Sequence, residues 1–322
     1  MAQLQLASNP VVPILCAITA GIAFSLNDMA IKFLAGDYPL HEIVLFRASV
    51  GILFTLAVFV PLEGGFSNFK TKRIGMHLMR AMFVVAANTL FFMGIAALPL
   101  SEATSIFFVS PMVITLFSIV FLKERVGIWR WAAVVAGLLG VIIMLRPGSS
   151  SFQLAGLFPL AAAVCYAGLH IFTRKLGATD NASSMAFYIQ LTFIIVSAAI
   201  GLSFGDGRYA GTGDPSIDFL LRAWVWPPST DWWIMIGLGI ASAIGGYTIS
   251  QAYRLGEAAT IAPFEYISLV LAIIWGITIF NEIPDAIAWS GIALIFTSGL
   301  LVFWRESVLK KRIAQGTAQL RR

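Results

Sequence analysis

Apolar residues along this chain run in long unbroken blocks, not in narrow stripes. Val11 to Phe24 holds no charge, and its one hydroxyl is Thr19. A helix needs roughly 20 such residues to cross a bilayer. Ten blocks qualify: 11–34, 41–61, 76–97, 102–122, 128–146, 153–174, 184–204, 232–253, 258–279 and 284–304. Most connections are short. The exception, 205–231, is rich in Gly, Pro and Asp and reads as a surface loop with an interfacial piece around "FLLRAWVW". The expected fold class is an all-α integral membrane protein with ten transmembrane helices.

Charge gives the blocks a direction. With the N-terminus inside, fifteen Lys and Arg fall in inner loops and the tail. Three fall in outer loops (Arg146, Arg208, Arg222), and three lie within helices (Lys32, Arg47, Arg80). Basic residues concentrate on the cytoplasmic side, so both termini are expected there, and the expected location is the cell inner membrane. The second half echoes the first. "FSLNDMAIKFLAG" (24–36) lies over "YAGLHIFTRKLGA" (166–178) at an offset of 142, and "VFLKE" (120–124) over "TIFNE" (278–282) at 158. The long 205–231 loop accounts for most of the drift. Because five is odd, the second set of helices enters the membrane from the other side. The two five-helix halves would then be inverted repeats about an axis in the membrane plane, an arrangement suited to a machine that opens to two sides.

Composition agrees and narrows the classes. Of 322 residues, 59% are hydrophobic and 11% charged, against about 25% charged in soluble domains. The net charge of +5 comes from residues between apolar blocks, which is a topology signal and not a nucleic-acid surface. The first ten residues carry no Lys or Arg, so the first block is expected to be a retained span and not a cleaved signal. Cys16 and Cys165 sit deep in apolar blocks and read as small hydrophobes. No phosphate-binding Gly-rich loop, nucleophile elbow or Asp-rich motif is present, and the three His are not at metal-ligand spacing. No cofactor, metal or ATP hydrolysis is expected.

Three stretches carry a family likeness: "PLHEIVLFRASVG" (39–51), "ALPLSEATSIFFVSPMVITLFSIVFLKERV" (97–126) and "ATIAPFEYISLVLAIIWGITIFNEIPD" (259–285). They resemble the two EamA repeats of the drug/metabolite transporter superfamily. The telling pieces are Arg47, Pro111 followed by Glu124, and "APFEY" followed by "FNE" and Pro284. "NDMAIK" and "APFEY" are similar to the subgroup that holds S-adenosylmethionine and riboflavin permeases. The resemblance implies a first repeat over 11–146, a second over 153–304 and a basic cytoplasmic tail over 305–322. It also implies a ten-helix secondary carrier whose helices one to four and six to nine line a cavity, with helices five and ten peripheral and often forming a homodimer contact. Ala133, Ala136, Gly137 and Gly140 in helix five have small-xxx-small spacing. That stripe serves either such a contact or close packing inside one chain.

Ionisable groups inside a span usually face a cavity or a partner. Asp28 and Lys32 are one turn apart on helix one, and Arg47 is about two turns below the outer end of helix two, at similar depth. Two bases against one acid leave room for an anionic group. The other reading is a static triad with Lys32 reaching outward. Glu265, near the midplane of helix nine and just after Pro263, has no base close in sequence. It is a candidate for proton coupling or for a cationic cargo. His170 and Gln190 occupy the repeat positions of Asp28 and Arg47. Asn88, Tyr266 and Trp275 offer polar or stacking contacts. Arg80 reads as a snorkelling residue and Arg174 as an end anchor. Glu102, Glu124 and Glu282 lie at helix ends, where capping or solvation suffices. The expected function is a permease for a small polar organic metabolite, proton-coupled or exchanging, with S-adenosylmethionine or riboflavin as candidate cargo. Interior charge nearly balances, which fits a neutral or zwitterionic molecule. The rivals are an exporter of amino acids or drugs and, from another class, a membrane enzyme acting on lipids. The enzyme would need a clustered acid/His or metal constellation that the sequence lacks.

Overall fold

The structure, a computed structural model, describes residues 11–65, 74–122, 127–147, 154–176, 182–255 and 258–319. Every extended regular element among them is helical. The helices are α1 (Val11–Leu34), α2 (Leu40–Leu62), α3 (Ile74–Ala97), α4 (Leu100–Phe107), α5 (Ser110–Leu122), α6 (Ile128–Leu145), α7 (Leu157–Leu176), α8 (Ala182–Phe204), α9 (Pro215–Leu221), α10 (Trp232–Leu255), α11 (Ala258–Glu265), α12 (Ile267–Ile279) and α13 (Ala286–Gln319). Six runs are long and apolar enough to cross a membrane: Val11–Leu34, Leu40–Leu62, Ile74–Ala97, Leu100–Phe121, Ala182–Phe204 and Trp232–Tyr253. Four shorter apolar helices, Trp131–Leu145, Leu154–Leu169, Pro263–Ile279 and Ala286–Leu301, fall on the other four blocks.

Two blocks expected to be single helices are interrupted. The fourth breaks between α4 and α5 at Phe108–Val109, where Val109 N and Met112 N bond three residues back, to Ile106 O and Val109 O. Pro111, without an N–H, cannot continue the ladder there. The ninth breaks at Tyr266, three residues after Pro263. Helix α2 carries a third irregularity, a π turn over Thr55–Phe59 in which Val60 N bonds Thr55 O. Pro61 supplies the reason, since it has no N–H for the carbonyl of Ala57.

Packing runs across the chain's halves. Helix α1 lies against α10, α11 and α12, while α7 lies against α3, α4 and α5. Helix α2 lies against α8 and α10, α3 against α8, α4 against α12, and α6 against α13. Side chains tie the bundle ends. At one end, the loop face, Tyr38 Oη donates to Asp231 at 2.6 Å, Arg222 donates to Ala35 O and Gly36 O, and Arg146 pairs with Asp285 at 2.6 Å. There Val225 N also donates to Glu42, and His41 Nδ1 bonds Leu220 O, so the 205–231 loop is pinned down. The opposite end is held by Glu63. The small-residue stripe faces inward: Gly137 abuts Met112 and Ser298, and Gly140 abuts Ile295 and the carbonyl of Gly291. It packs α6 on α13 of the same chain. The outer side of α6 exposes Trp129, Trp131, Val135, Leu139 and Ile142, an apolar surface that suits lipid and not water.

Candidate functional site

Arg47 is the most constrained polar residue of the interior. Two turns into α2, it is 2% exposed. Its guanidinium lies over two phenyl rings, Phe92 of α3 at 5.3 Å and Phe193 of α8 at 4.9 Å from the centroids. Attraction between a cation and the ring faces is strongest where water is excluded, and this stack holds the charge in the core. Nη1 donates to Asn27 Oδ1 of α1 at 3.3 Å, and Asn27 Nδ2 donates to Asp28 Oδ1 at 3.2 Å. Asp28 also lies within electrostatic reach of Arg47. Nε and Nη2 are buried with no hydrogen-bond partner. Two unmet donors on a buried cation are costly. Together they form one edge of the guanidinium fork, the geometry that takes a carboxylate or phosphate through two parallel bonds.

Lys32 does not complete this cluster. Its ammonium pairs with Glu282 Oε1 at 2.7 Å, donates to Leu98 O at 2.5 Å and lies 5.3 Å from the centroid of Phe280. Of the expected trio Asp28, Lys32 and Arg47, the structure joins Arg47 to Asp28 through Asn27 and sends Lys32 elsewhere. Lys32 and Glu282 have side-chain exposures of 11% and 24%. They border a cavity of about 360 Å³ open on the loop face, with Gly36, Leu98, Arg222 and Phe280 around it. Glu282 reaches inward because Asn281 adopts φ 54°, a left-handed conformation that Asn tolerates, and Glu282 N folds back onto Gly276 O at 2.8 Å.

A second centre surrounds Glu265, the last residue of α11 before the break. Tyr253 Oη of α10 donates to its Oε1, and Tyr166 of α7 lies within electrostatic reach of Glu265 and of Arg80. Arg80 thus has company in the interior as well as the snorkelling path read from sequence. The partners named at Glu265 and those named at Arg47 do not overlap. Trp275 Nε1 donates to Ser25 Oγ at 3.0 Å on α1. Gln190 is buried, donating to Ser242 Oγ at 3.3 Å while its Oε1 has no partner. Asn88 is half-buried on α3. Tyr266 occupies the break itself. The side chains of His170 and Arg174 lie outside the described residues, as does Glu124.

In sequence Glu282 reads as a capping or solvated helix-end residue, and Glu63, Phe92 and Phe193 carry no signal. Glu282 does cap a helix, accepting from Leu100 N at 2.9 Å, and it is also the partner of Lys32. Nothing local marks Phe92 or Phe193, two among 25 Phe. Among the described residues no group of three His, Cys, Asp or Glu is placed to hold a metal ion.

Residues 11–146 match the model of the EamA-like transporter family. Curated relatives align along almost the whole chain. A riboflavin transporter of Vibrio cholerae is 27% identical, over 94% of this chain and 97% of its own. An S-adenosylmethionine uptake transporter of Rickettsia conorii is 26% identical, over 90% and 92%. A pseudopaline exporter of Pseudomonas aeruginosa is 26% identical, over 88% and 92%. A solved crystal structure superposes with a TM-score of 0.63 at 20% identity, covering 94% of this chain and 98% of that one, so the fold is one already seen by experiment.

Proposed function

We propose that this chain, whose residues 11–146 form an EamA-like transporter domain, is a permease that moves a small polar organic metabolite across the inner membrane, with the Arg47 fork as an anchor for its cargo. The observation that carries this reading is the buried guanidinium, stacked between Phe92 and Phe193, with Nε and Nη2 unmet. A protein with no ligand for that edge would bear its desolvation cost for nothing. Riboflavin and S-adenosylmethionine, the cargoes named for relatives, each pair a flat ring system with hydrogen-bonding edges, and the second adds a carboxylate. Both uptake transporters and an exporter occur among the relatives, so direction is set by the gradient.

The ten helical blocks are all read as spans, in two inverted halves, 11–146 and 153–304, with both termini cytoplasmic. The packing supports this. Exchanging the first five blocks for the last five turns the contact of α1 with α10 into that of α7 with α3. The same exchange turns the contact of α2 with α10 into that of α8 with α3, and leaves α2 with α8 and α6 with α13 unchanged. Charge asymmetry supports the orientation. Glu265 with Tyr253 is read as the proton-coupling group, with exchange as the alternative mode.

Purified protein is to be screened by thermal shift against riboflavin, S-adenosylmethionine and amino acids, since a ligand of the folded state raises apparent stability. The expected result is a shift with one cargo class in wild type that is lost in Arg47→Met. A shift that survives Arg47→Met overturns the anchor, and transport assays that detect no cargo in proteoliposomes overturn the permease.

A further inference from the structure

Two carboxylates, one at each end of the bundle, share an arrangement that the cargo site does not use. Glu63, just beyond α2, accepts from Ser183 N at 3.0 Å and Ser183 Oγ at 2.6 Å through Oε2, and from Gln251 Nε2 at 2.6 Å through Oε1. Ser183 is in the first turn of α8, where N–H groups lack helical partners. Glu282, at the loop face, accepts from Leu100 N at 2.9 Å through Oε2 and pairs with Lys32 at 2.7 Å through Oε1. Leu100 opens α4. Each carboxylate therefore caps a helix of the opposite half with one oxygen and grips a side chain of that half with the other. Glu63 of the first half holds Ser183 and Gln251 of the second. Glu282 of the second half holds Leu100 and Lys32 of the first.

The surroundings match as well. An aromatic group backs each grip: Tyr247 stacks on Phe59 at 3.9 Å and accepts from Gln251 at 2.9 Å, and Phe280 lies beside Lys32. The cavity at the loop face is bordered by Lys32 and Glu282. The π turn of α2 lies between Arg47 and Glu63, and such turns are frequent at functional sites.

We propose that Glu63 and Glu282 are the two gate latches of the transport path, each holding its own end of the bundle shut by bridging the halves, and that both are fastened in this structure. The proposal rests on the permease reading. Opening an end requires one carboxylate to leave a helix N-terminus and one side-chain donor together, so an end opens as a unit. The loop-face latch includes an ion pair, and the partners described at the opposite end include a backbone N–H, a hydroxyl and a carboxamide.

The test reads accessibility and needs no cargo. In a Cys16→Ala, Cys165→Ala background, single reporters are placed at Ser101→Cys, in the first turn of α4, and at Thr55→Cys, in α2. Both residues are fully buried with hydroxyls that lack partners, so the thiol is a mild change. Sealed vesicles of each orientation are labelled with a membrane-impermeant maleimide. Glu282→Ala is expected to raise labelling of Ser101→Cys from one side only, by about fivefold or more, equivalent to roughly 1 kcal/mol of bias, with Thr55→Cys unchanged. Glu63→Ala is expected to do the reverse, from the other side only. Lys32→Met and Gln251→Leu, which remove the gripped partners, carry the same readout where a Glu variant does not purify as a monodisperse protein. Unchanged labelling at both ends, or one variant exposing both ends together, overturns the latches. Either failure leaves cargo binding and the permease reading standing, because these are read by thermal shift and uptake.

Discussion

Phe108 and Tyr266 touch, their ring centroids 4.7 Å apart at an interplanar angle of 44°. Each sits where its block of helix is interrupted. They are 158 positions apart, the offset that lays "VFLKE" over "TIFNE". Residues that correspond across a two-fold axis and also touch each other lie beside that axis, so the proposed inverted repeat would have its axis at these rings. Both breaks then meet at the centre of the bundle, where helix ends free backbone groups for a cavity.

The first prediction follows from what holds Tyr266 there. Its ring packs edge-on to Phe296 at 5.2 Å, and its hydroxyl lies over Gly299 of α13, where an added Cβ would overlap it. Gly299→Ala is therefore expected to lower stability by about 1–3 kcal/mol, the usual range for overpacking a filled core, read as a fall in Tm. Adding Tyr266→Phe should recover part of it. Gly246→Ala, where nothing lies within 4 Å, should change little. Equal effects at Gly299 and Gly246 would remove the steric argument.

Arg47 sets stability against function. Replacing a buried unmet donor by an apolar group of similar length relieves a desolvation cost of about 1–3 kcal/mol per group. Arg47→Met also loses the two ring contacts, the Asn27 bond and the cation facing Asp28, so the terms oppose each other. Its Tm should stay close to that of wild type while cargo uptake falls at least tenfold, roughly the worth of one good hydrogen bond to a charged group. Arg47→Lys should also fail, because a point charge cannot offer two parallel donors. Uptake at wild-type level in Arg47→Lys would show that charge alone is read there.

The blocks were legible in sequence because a bilayer admits little else: every backbone group must be satisfied inside a helix, and the helix must be apolar for its length. The interruptions were half legible. Pro111 and Pro263 announce them, but the break after Pro263 falls at Tyr266, where the chain can turn beside Phe108. Pro61 was a signal for the π turn that spacing rules do not interpret. The Lys32 partner is hidden in the sequence for a clear reason. Local spacing offers Asp28 one turn away, whereas Glu282 is 250 positions distant, and only the folded chain brings the turn at Asn281 against α1. The same holds for Phe92 and Phe193, whose role depends on three helices meeting at Arg47.

The loop that covers one end of the bundle rests on Asp218, which gives the third prediction. Its Oδ1 accepts from Gly211 N, Thr212 N and Thr212 Oγ1, and its Oδ2 from Gly213 N. The Thr212 backbone N–H, then the Thr212 hydroxyl and the neighbouring amides, hold this carboxyl below its ordinary value of 3.8. A carboxyl depressed by folding contributes order that is fully present above the unfolded value and is lost as pH falls through the folded one. Amide exchange at 211–213 should therefore show constant protection from neutral pH down to about 4, after correction for intrinsic rates, and weaken only below it. Asp218→Ala should lose that protection at every pH. Protection that fades between pH 7 and 5 would point to another group.

The last prediction concerns Glu265, which ends α11 one residue before the break and accepts the hydroxyl of Tyr253. If this carboxyl gains and loses a proton in each cycle, a side chain that cannot titrate must remove that step while leaving the packing intact. Gln has the same shape, and its carbonyl can still accept from Tyr253, so Glu265→Gln is expected to express and melt as wild type. Uptake driven by an imposed pH gradient should disappear in the variant, whereas exchange of labelled for unlabelled cargo should continue, since exchange needs no net proton movement. The initial exchange rate should also become flat with pH, because the neutral amide stands in for the protonated acid. The two transport modes separate the roles. Loss of both in a well-folded variant would make Glu265 a cargo ligand, and retention of gradient-driven uptake would reject coupling at this residue.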